Sequence, residues 1–253
     1  MMSELPILVE TAADRCTLTL NRPTKANALT ADMMLTLGTA ASRGAQDRPL
    51  ILRSVSSKVF CAGADIGEFA AGPERLAAQE HGLLEMIGRF AETSAPIVAV
   101  ASGRASGAGA ILLSLADIVI AADDLAVVCP EIQFGMYPVI VEAALQSRMS
   151  SALAASLCHG GRTMDAYEAR QIGLVTEVLA AADFERASEE RVDFFMARAV
   201  ALGIARRSRL RTQPPHLLIE RLKAVAPLMG ENYADQDVRK RIASYLARLG
   251  GRG

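Results

Sequence analysis

The sequence predicts an α/β core followed by a mostly helical C-terminal third. Three observations lead there. Up to about residue 140, short apolar runs ending in turn-forming or small residues alternate with helical stretches. Those runs are nearly continuous in apolar residues, which indicates a sheet covered on more than one face. Beyond that point helical periodicity dominates and strand signals thin out. The expected division is a core over residues 1–195 and a helical region over residues 196–253.

The elements follow in chain order. Cys16–Leu20 reads as a strand, and residues 31–43 as a helix. Residues 50–55 form the next apolar run, and Lys58-Val59-Phe60 is a shorter one. Residues 74–94 read as a helix and Ile97–Ala101 as a strand. The segment 102–110 is rich in small residues and sits between that strand and a helix over 107–115. Ile118–Ala122 and 126–129 complete the strand run. Helices are then expected over 142–158, 165–172, 185–205 and 215–248, interrupted by the strand-like stretch 173–178.

Composition narrows the function classes. The 253-residue chain can bury a full core without disulfides or structural metal. With 51% hydrophobic and 22% charged residues, global disorder is excluded. The 27 basic and 28 acidic residues nearly cancel, giving no general attraction to nucleic acid or anionic lipid. Cys16, Cys61, Cys129 and Cys158 form no CxxC pair, so they read as reduced, buried small side chains rather than metal ligands. His81, His159 and His216 are isolated, which argues against a histidine-based triad. No apolar run is long enough to span a bilayer, and the first fifteen residues lack a basic stretch followed by a long apolar one. A cytoplasmic protein with no membrane partner is expected.

Segment 102–110 could serve several chemistries. Gly103, Gly107 and Gly109 fit the GxxxGxG of short-chain dehydrogenases, but the segment lies far from the first strand and no tyrosine has a lysine four residues later. A nucleophile elbow needs GxSxG, and Arg104 stands two residues before Ser106. A backbone oxyanion hole remains, with a second donor from the small-residue turn 61–66. Each turn alone could equally be a tight connection with close helix packing.

The ordered set is more specific than its parts. It runs through Asn21-Arg22-Pro23, 25–29, 60–66, 96–100, the Gly103 to Gly109 turn, 116–121, Pro130-Glu131-Ile132, Gly135, Gly161-Arg162, Ala166, Glu168-Ala169 and Gly173-Leu174-Val175. Over roughly residues 5–180 this series resembles the enoyl-CoA hydratase/isomerase (crotonase) superfamily. The resemblance implies a crotonase-like ββα spiral core with a helical C-terminal trimerisation region, assembling as a homotrimer or hexamer. It implies an acyl-CoA thioester as substrate, with CoA part of that substrate and no separate cofactor or metal. The carbonyl-polarising amides map to Ala64 and Ala108, and CoA contacts to Lys25, Ala26, Ala62, Asp65 and Ile66. Gly107, Ile111, Pro130 and Val139 map to the rest of the substrate pocket. Asp65 also suits a helix N-cap.

Hydratases of the family place two glutamates across the reacting carbons. One maps to Glu131; the other position holds Ile111. Addition of water divides naturally between two carboxylates, whereas a single base can carry a proton between C2 and C4. The resemblance therefore favours double-bond isomerisation through Glu131, with an apolar Ile111 raising its pKa. Hydration is the alternative, and a catalytically silent acyl-CoA-binding homologue is another. Glu142 and Tyr137 are candidate auxiliary acids, and Glu68 reads as a solvated helix residue. Arg206, Arg207, Arg209 and Arg211 read as a solvated basic stretch, with contact to CoA phosphates as the alternative.

Overall fold

A computed structural model describes residues 5–43 and 48–250; residues 1–4, part of the N-terminal stretch read above for a leader, lie outside them. The strands are β1 (Ile7–Thr11), β2 (Cys16–Leu20), β3 (Leu50–Ser54), β4 (Val59–Cys61) and β5 (Ile97–Ala101). They continue as β6 (Arg104–Ser106), β7 (Ile118–Ala122), β8 (Ala126–Val128), β9 (Thr163–Asp165) and β10 (Glu177–Leu179). The helices are α1 (Ala31–Arg43), α2 (Ile66–Ala70), α3 (Pro73–Glu92), α4 (Ala108–Leu115), α5 (Val139–Leu145) and α6 (Ser151–Gly160). After them come α7 (Ala166–Gln171), α8 (Phe184–Met196), α9 (Ala199–Thr212), α10 (Pro215–Val225), α11 (Pro227–Ala234) and α12 (Gln236–Gly250).

One sheet runs β1-β2-β3-β5-β7-β10 and the other β4-β6-β8-β9. The skipped numbers describe a spiral. After β3, β5 and β7 the chain crosses to the small sheet as β4, β6 and β8, then returns through a helical segment. Each circuit is therefore strand, strand, helix, and successive circuits stack in parallel. β5 and β7 are buried along their whole lengths, as strands covered on both faces must be. α4 is apolar all round, and all its residues are buried, so it is a core helix rather than an amphipathic one.

Several sequence expectations need correction. β6 interrupts segment 102–110, which reads as a plain connection because three residues give too short a pattern. β1 and β9 were also unanticipated; β1 is an edge strand with only Ile7 buried. The strand-like stretch 173–178 contributes only its end, in β10. The long C-terminal helices are broken. The Ser150 hydroxyl accepts from the Leu153 amide at 3.4 Å and starts α6 apart from α5. The 185–205 stretch divides into α8 and α9. Within 215–248, Pro227 opens α11, and extended Asp235 caps α12 by accepting from the amides of Asp237 and Val238 at 2.7 and 3.1 Å.

Two charged residues read as solvated are not. Arg206 is 4% exposed, and its guanidinium donates to the carbonyls of Phe90, Ala91 and Thr93 at the end of α3, and to Asp117. Glu68 accepts from the Ala31 amide at 3.0 Å and from Gln79, joining α1, α2 and α3. The cysteines are buried and unpaired by disulfide. Among the described residues no helix is long and apolar enough to cross a membrane.

Candidate active site

The first turn of α4 organises the site. Gly107, its N-cap, has φ +48° and ψ −110°, a conformation that L side chains avoid. Its amide donates to the Val128 carbonyl at 3.1 Å, tying the turn to β8, which leads into the 3₁₀ turn Pro130–Phe134. That connection brings Glu131 against Gly107: a β-carbon there would overlap Glu131 Oε1. Glycine is thus required twice, for its backbone angle and for its missing side chain.

The second turn follows β4. Leu29 donates to the Gly63 carbonyl and accepts from the Asp65 amide, each at 2.8 Å. In such a bridge the N–H of the intervening Ala64 faces the opposite edge, where Ser106 and Ala108 lie. The turns touch. A β-carbon on Gly63, at φ +100°, would come 3.1 Å from the Ser106 carbonyl oxygen and 3.7 Å from the Ala108 nitrogen. Among the described residues neither the Ala64 nor the Ala108 amide donates to a backbone acceptor outside its own helix or strand. The Ala108 amide also belongs to the first turn of a helix, where N–H groups lack intrahelical partners and the dipole favours negative charge.

Glu131 is electrostatically unusual. Its Oε2 is buried with no hydrogen-bond partner, and burial pushes its pKa up to about 7. Beside it, Cys129 is held well above the ordinary thiol range by a hydrogen bond with Cys158, by burial and by the Glu131 charge, so it remains a neutral thiol. Ile111, fully buried, lies one turn beyond Gly107 on the same side of α4. A carboxyl group so placed can exchange a proton near neutral pH beside a wall that offers it no charge partner.

The remaining predicted positions distribute around these turns. Pro130 starts the 3₁₀ turn, and Val139 starts α5, half-buried with its amide donating to the Tyr137 carbonyl at 2.9 Å. Asp65 is the N-cap of α2, accepting from the Gly67 amide at 2.9 Å, and also pairs with Arg22 at 2.6 Å. Ile66 is the first residue of that helix. Ala26 and Ala62 are joined by a 3.0 Å bond from the Ala62 amide to the Ala26 carbonyl, and Lys25 is exposed beside them. Glu142 is committed elsewhere, accepting from Tyr137 Oη at 2.7 Å and Gln146 Nε2 at 3.2 Å. Burial and that bond raise the Tyr137 pKa, which keeps its hydroxyl protonated.

Two structural contributors escaped the sequence reading. Buried Asn27, in the left-handed region at φ +54°, donates to Ser54 Oγ and the Phe60 carbonyl at 2.8 and 3.1 Å. It accepts from the Arg22 amide at 2.8 Å, so it pins loop 22–28 onto β4. Its place in the quoted motif was a signal without an evident role. α12 packs across α2 and the Glu131 turn, with Tyr245 edge-on to Phe134 at 5.0 Å and Val238 and Ile242 buried. Its amphipathic pattern was legible, but its docking face was not.

The enoyl-CoA hydratase/isomerase family model matches residues 10–250. The chain belongs to that family. It is 36% identical over 199 residues to "Probable enoyl-CoA hydratase echA8" of Mycobacterium leprae, covering 78% of this chain and 74% of that one. It is 30% identical over 165 residues to the 2,3-dehydroadipyl-CoA hydratase of Escherichia coli, covering 64% of each. Its fold matches the crystal structure of an enoyl-CoA hydratase from Bacillus halodurans with a TM-score of 0.84, over 95% of this chain and all of that one, at 20% identity. The ββα spiral that the resemblance implies is the fold of this family member.

Proposed function

We propose that this family member acts on an acyl-CoA thioester and moves a carbon–carbon double bond between the 3 and 2 positions. The Ala64 and Ala108 amides receive the thioester oxygen. Glu131 in its ionised form takes a proton from C2 of a 3-enoyl thioester, and electron density passes into the carbonyl as a dienolate. The two N–H groups hold the developing negative charge; loss of one such donor raises barriers by about 3–4 kcal/mol. Protonated Glu131 then delivers the same proton to C4, leaving the double bond between C2 and C3. Nothing is consumed, and the base returns to its starting state.

The observation that carries this reading is the buried, unpartnered Glu131 carboxylate oxygen beside the start of α4, with isoleucine at position 111. A pKa near 7 leaves the group able both to take and to give a proton at neutral pH. CoA contacts are assigned to Lys25, Ala26, Ala62, Asp65 and Ile66, and acyl contacts to Ile111, Pro130 and Val139. Hydration of a 2-enoyl thioester is the second reading, favoured by the names of the relatives. Incubation with a 3-enoyl-CoA should give its conjugated 2-enoyl isomer, a reaction abolished in Glu131→Gln. Brisk water addition to a 2-enoyl-CoA with no isomerisation would overturn the preference for isomerase. Self-association is also proposed, since Val200 and Ile204 expose apolar side chains on α9. Sedimentation showing only monomer would refute it.

A further inference from the structure

The C-terminal ends of α3, α4 and α5 converge on a cavity of about 260 Å³. Ala91, Leu115 and Ser147 line it from those helix ends, and Arg206, Arg209 and Arg221 from α9 and α10. None of its lining residues is acidic. Two of these arginines share the carboxylate of Asp117, whose Oδ1 lies 3.2 Å from both Arg206 and Arg209. Its Oδ2 is already taken by the Ile97 amide at 2.9 Å. Arg148 adds a further cation: it donates to the Asp117 carbonyl at 3.1 Å, while its Nε is buried with no partner. Arg206, Arg209 and Arg148 thus crowd around Asp117, while Arg221 lines the cavity from α10.

Like charges crowded at low dielectric repel, and the crowding is felt: burial and then the Arg209 charge lower the Arg148 pKa. Arg206 is spent on helix carbonyls and Asp117. Arg209 makes one side-chain bond among the described residues, to Asp117, and Arg221 makes none. Both keep N–H groups for a ligand, in the planar fork that matches an oxyanion. The volume far exceeds the roughly 30 Å³ share of one water. It falls below the roughly 300–1,000 Å³ of pockets for drug-sized ligands, so a small anion matches its size better. The Glu131 site lies at the N-terminal ends of α4 and α5; this cavity lies at their C-terminal ends.

We propose that this cavity binds a small multivalent oxyanion of the phosphate type, held by Arg209 and Arg221 and separate from the Glu131 site. Thermal unfolding of the whole protein tests it, comparing inorganic phosphate with chloride at matched ionic strength. Phosphate at about five times its Kd should raise Tm by about 2–4 °C. The shift should vanish in Arg209→Gln and Arg221→Gln, and persist in Arg207→Gln, an exposed arginine on the same helix. Arg221 is also exposed, so its variant carries the test if Arg209→Gln fails to fold. No shift in the unmodified protein at tens of millimolar phosphate overturns the proposal, as does a shift that survives Arg221→Gln. Free CoA separates the two sources of phosphate. A CoA-induced shift retained in Arg221→Gln supports separate sites, and its loss together with the phosphate shift would overturn them.

Discussion

Replacing Glu131 by glutamine should remove a built-in instability that grows with pH. The carboxyl pKa stands at about 7 instead of 4.5 because burial penalises the charged form. Below pH 4.5 the group is protonated in both folded and unfolded chains and costs nothing. As pH rises toward 7 the unfolded chain releases its proton first, so stability falls. Above pH 7 the folded carboxyl is ionised too, and the cost is complete at about 3 kcal/mol, taking 1.36 kcal/mol per pKa unit. Glutamine keeps the shape without the titration, and its own burial cost does not depend on pH. The stability difference between Glu131→Gln and the unmodified protein should therefore move by about 2–3 kcal/mol in favour of glutamine from pH 5 to pH 8. Urea unfolding at fixed protein concentration measures it, since any self-association makes stability concentration-dependent. A difference that stays flat, within about 1 kcal/mol across that range, would show that Glu131 is not desolvated in the folded chain. The electrostatic argument would then fail, although the family assignment would stand.

Other perturbations test other links. If ionised Glu131 is the base, kcat/KM for isomerisation should fall about tenfold per pH unit well below pH 7 and level off above it, and a flat profile would exclude that role. Gly107→Ala should cost about 1–3 kcal/mol of stability through its forced backbone and should also suppress turnover by displacing Glu131; full activity would refute the contact. Asn27→Ala orphans the Arg22 amide and the Phe60 carbonyl, and at about 1–3 kcal/mol per group should lower the unfolding free energy by about 2–6 kcal/mol. Arg206→Met strips the α3 carbonyls and Asp117 of a donor and should cost about 3–5 kcal/mol in urea unfolding, whereas an exposed arginine such as Arg207 should cost almost nothing when changed.

The sequence alone determined the α/β core and the helical C-terminal region, while the candidate site residues came from the family resemblance. Strands such as Ile97–Ala101 and Ile118–Ala122 are legible because a run buried on both faces must be apolar throughout. The pairing of turn 61–66 with turn 102–110 is legible only as an ordered motif, since each alone fits any tight connection. Tertiary structure decided what local pattern cannot carry. β6 forms because neighbours β4 and β8 supply partners for three residues with no pattern of their own. Arg206 and Arg207 stand side by side in the chain, yet one is sealed against helix carbonyls and the other meets solvent, because adjacent helical residues point about 100° apart. Glu131 shows the limit most clearly. Its identity can be read from the chain, but its pKa depends on which atoms from distant segments exclude water around it, and only the folded arrangement brings Gly107 there.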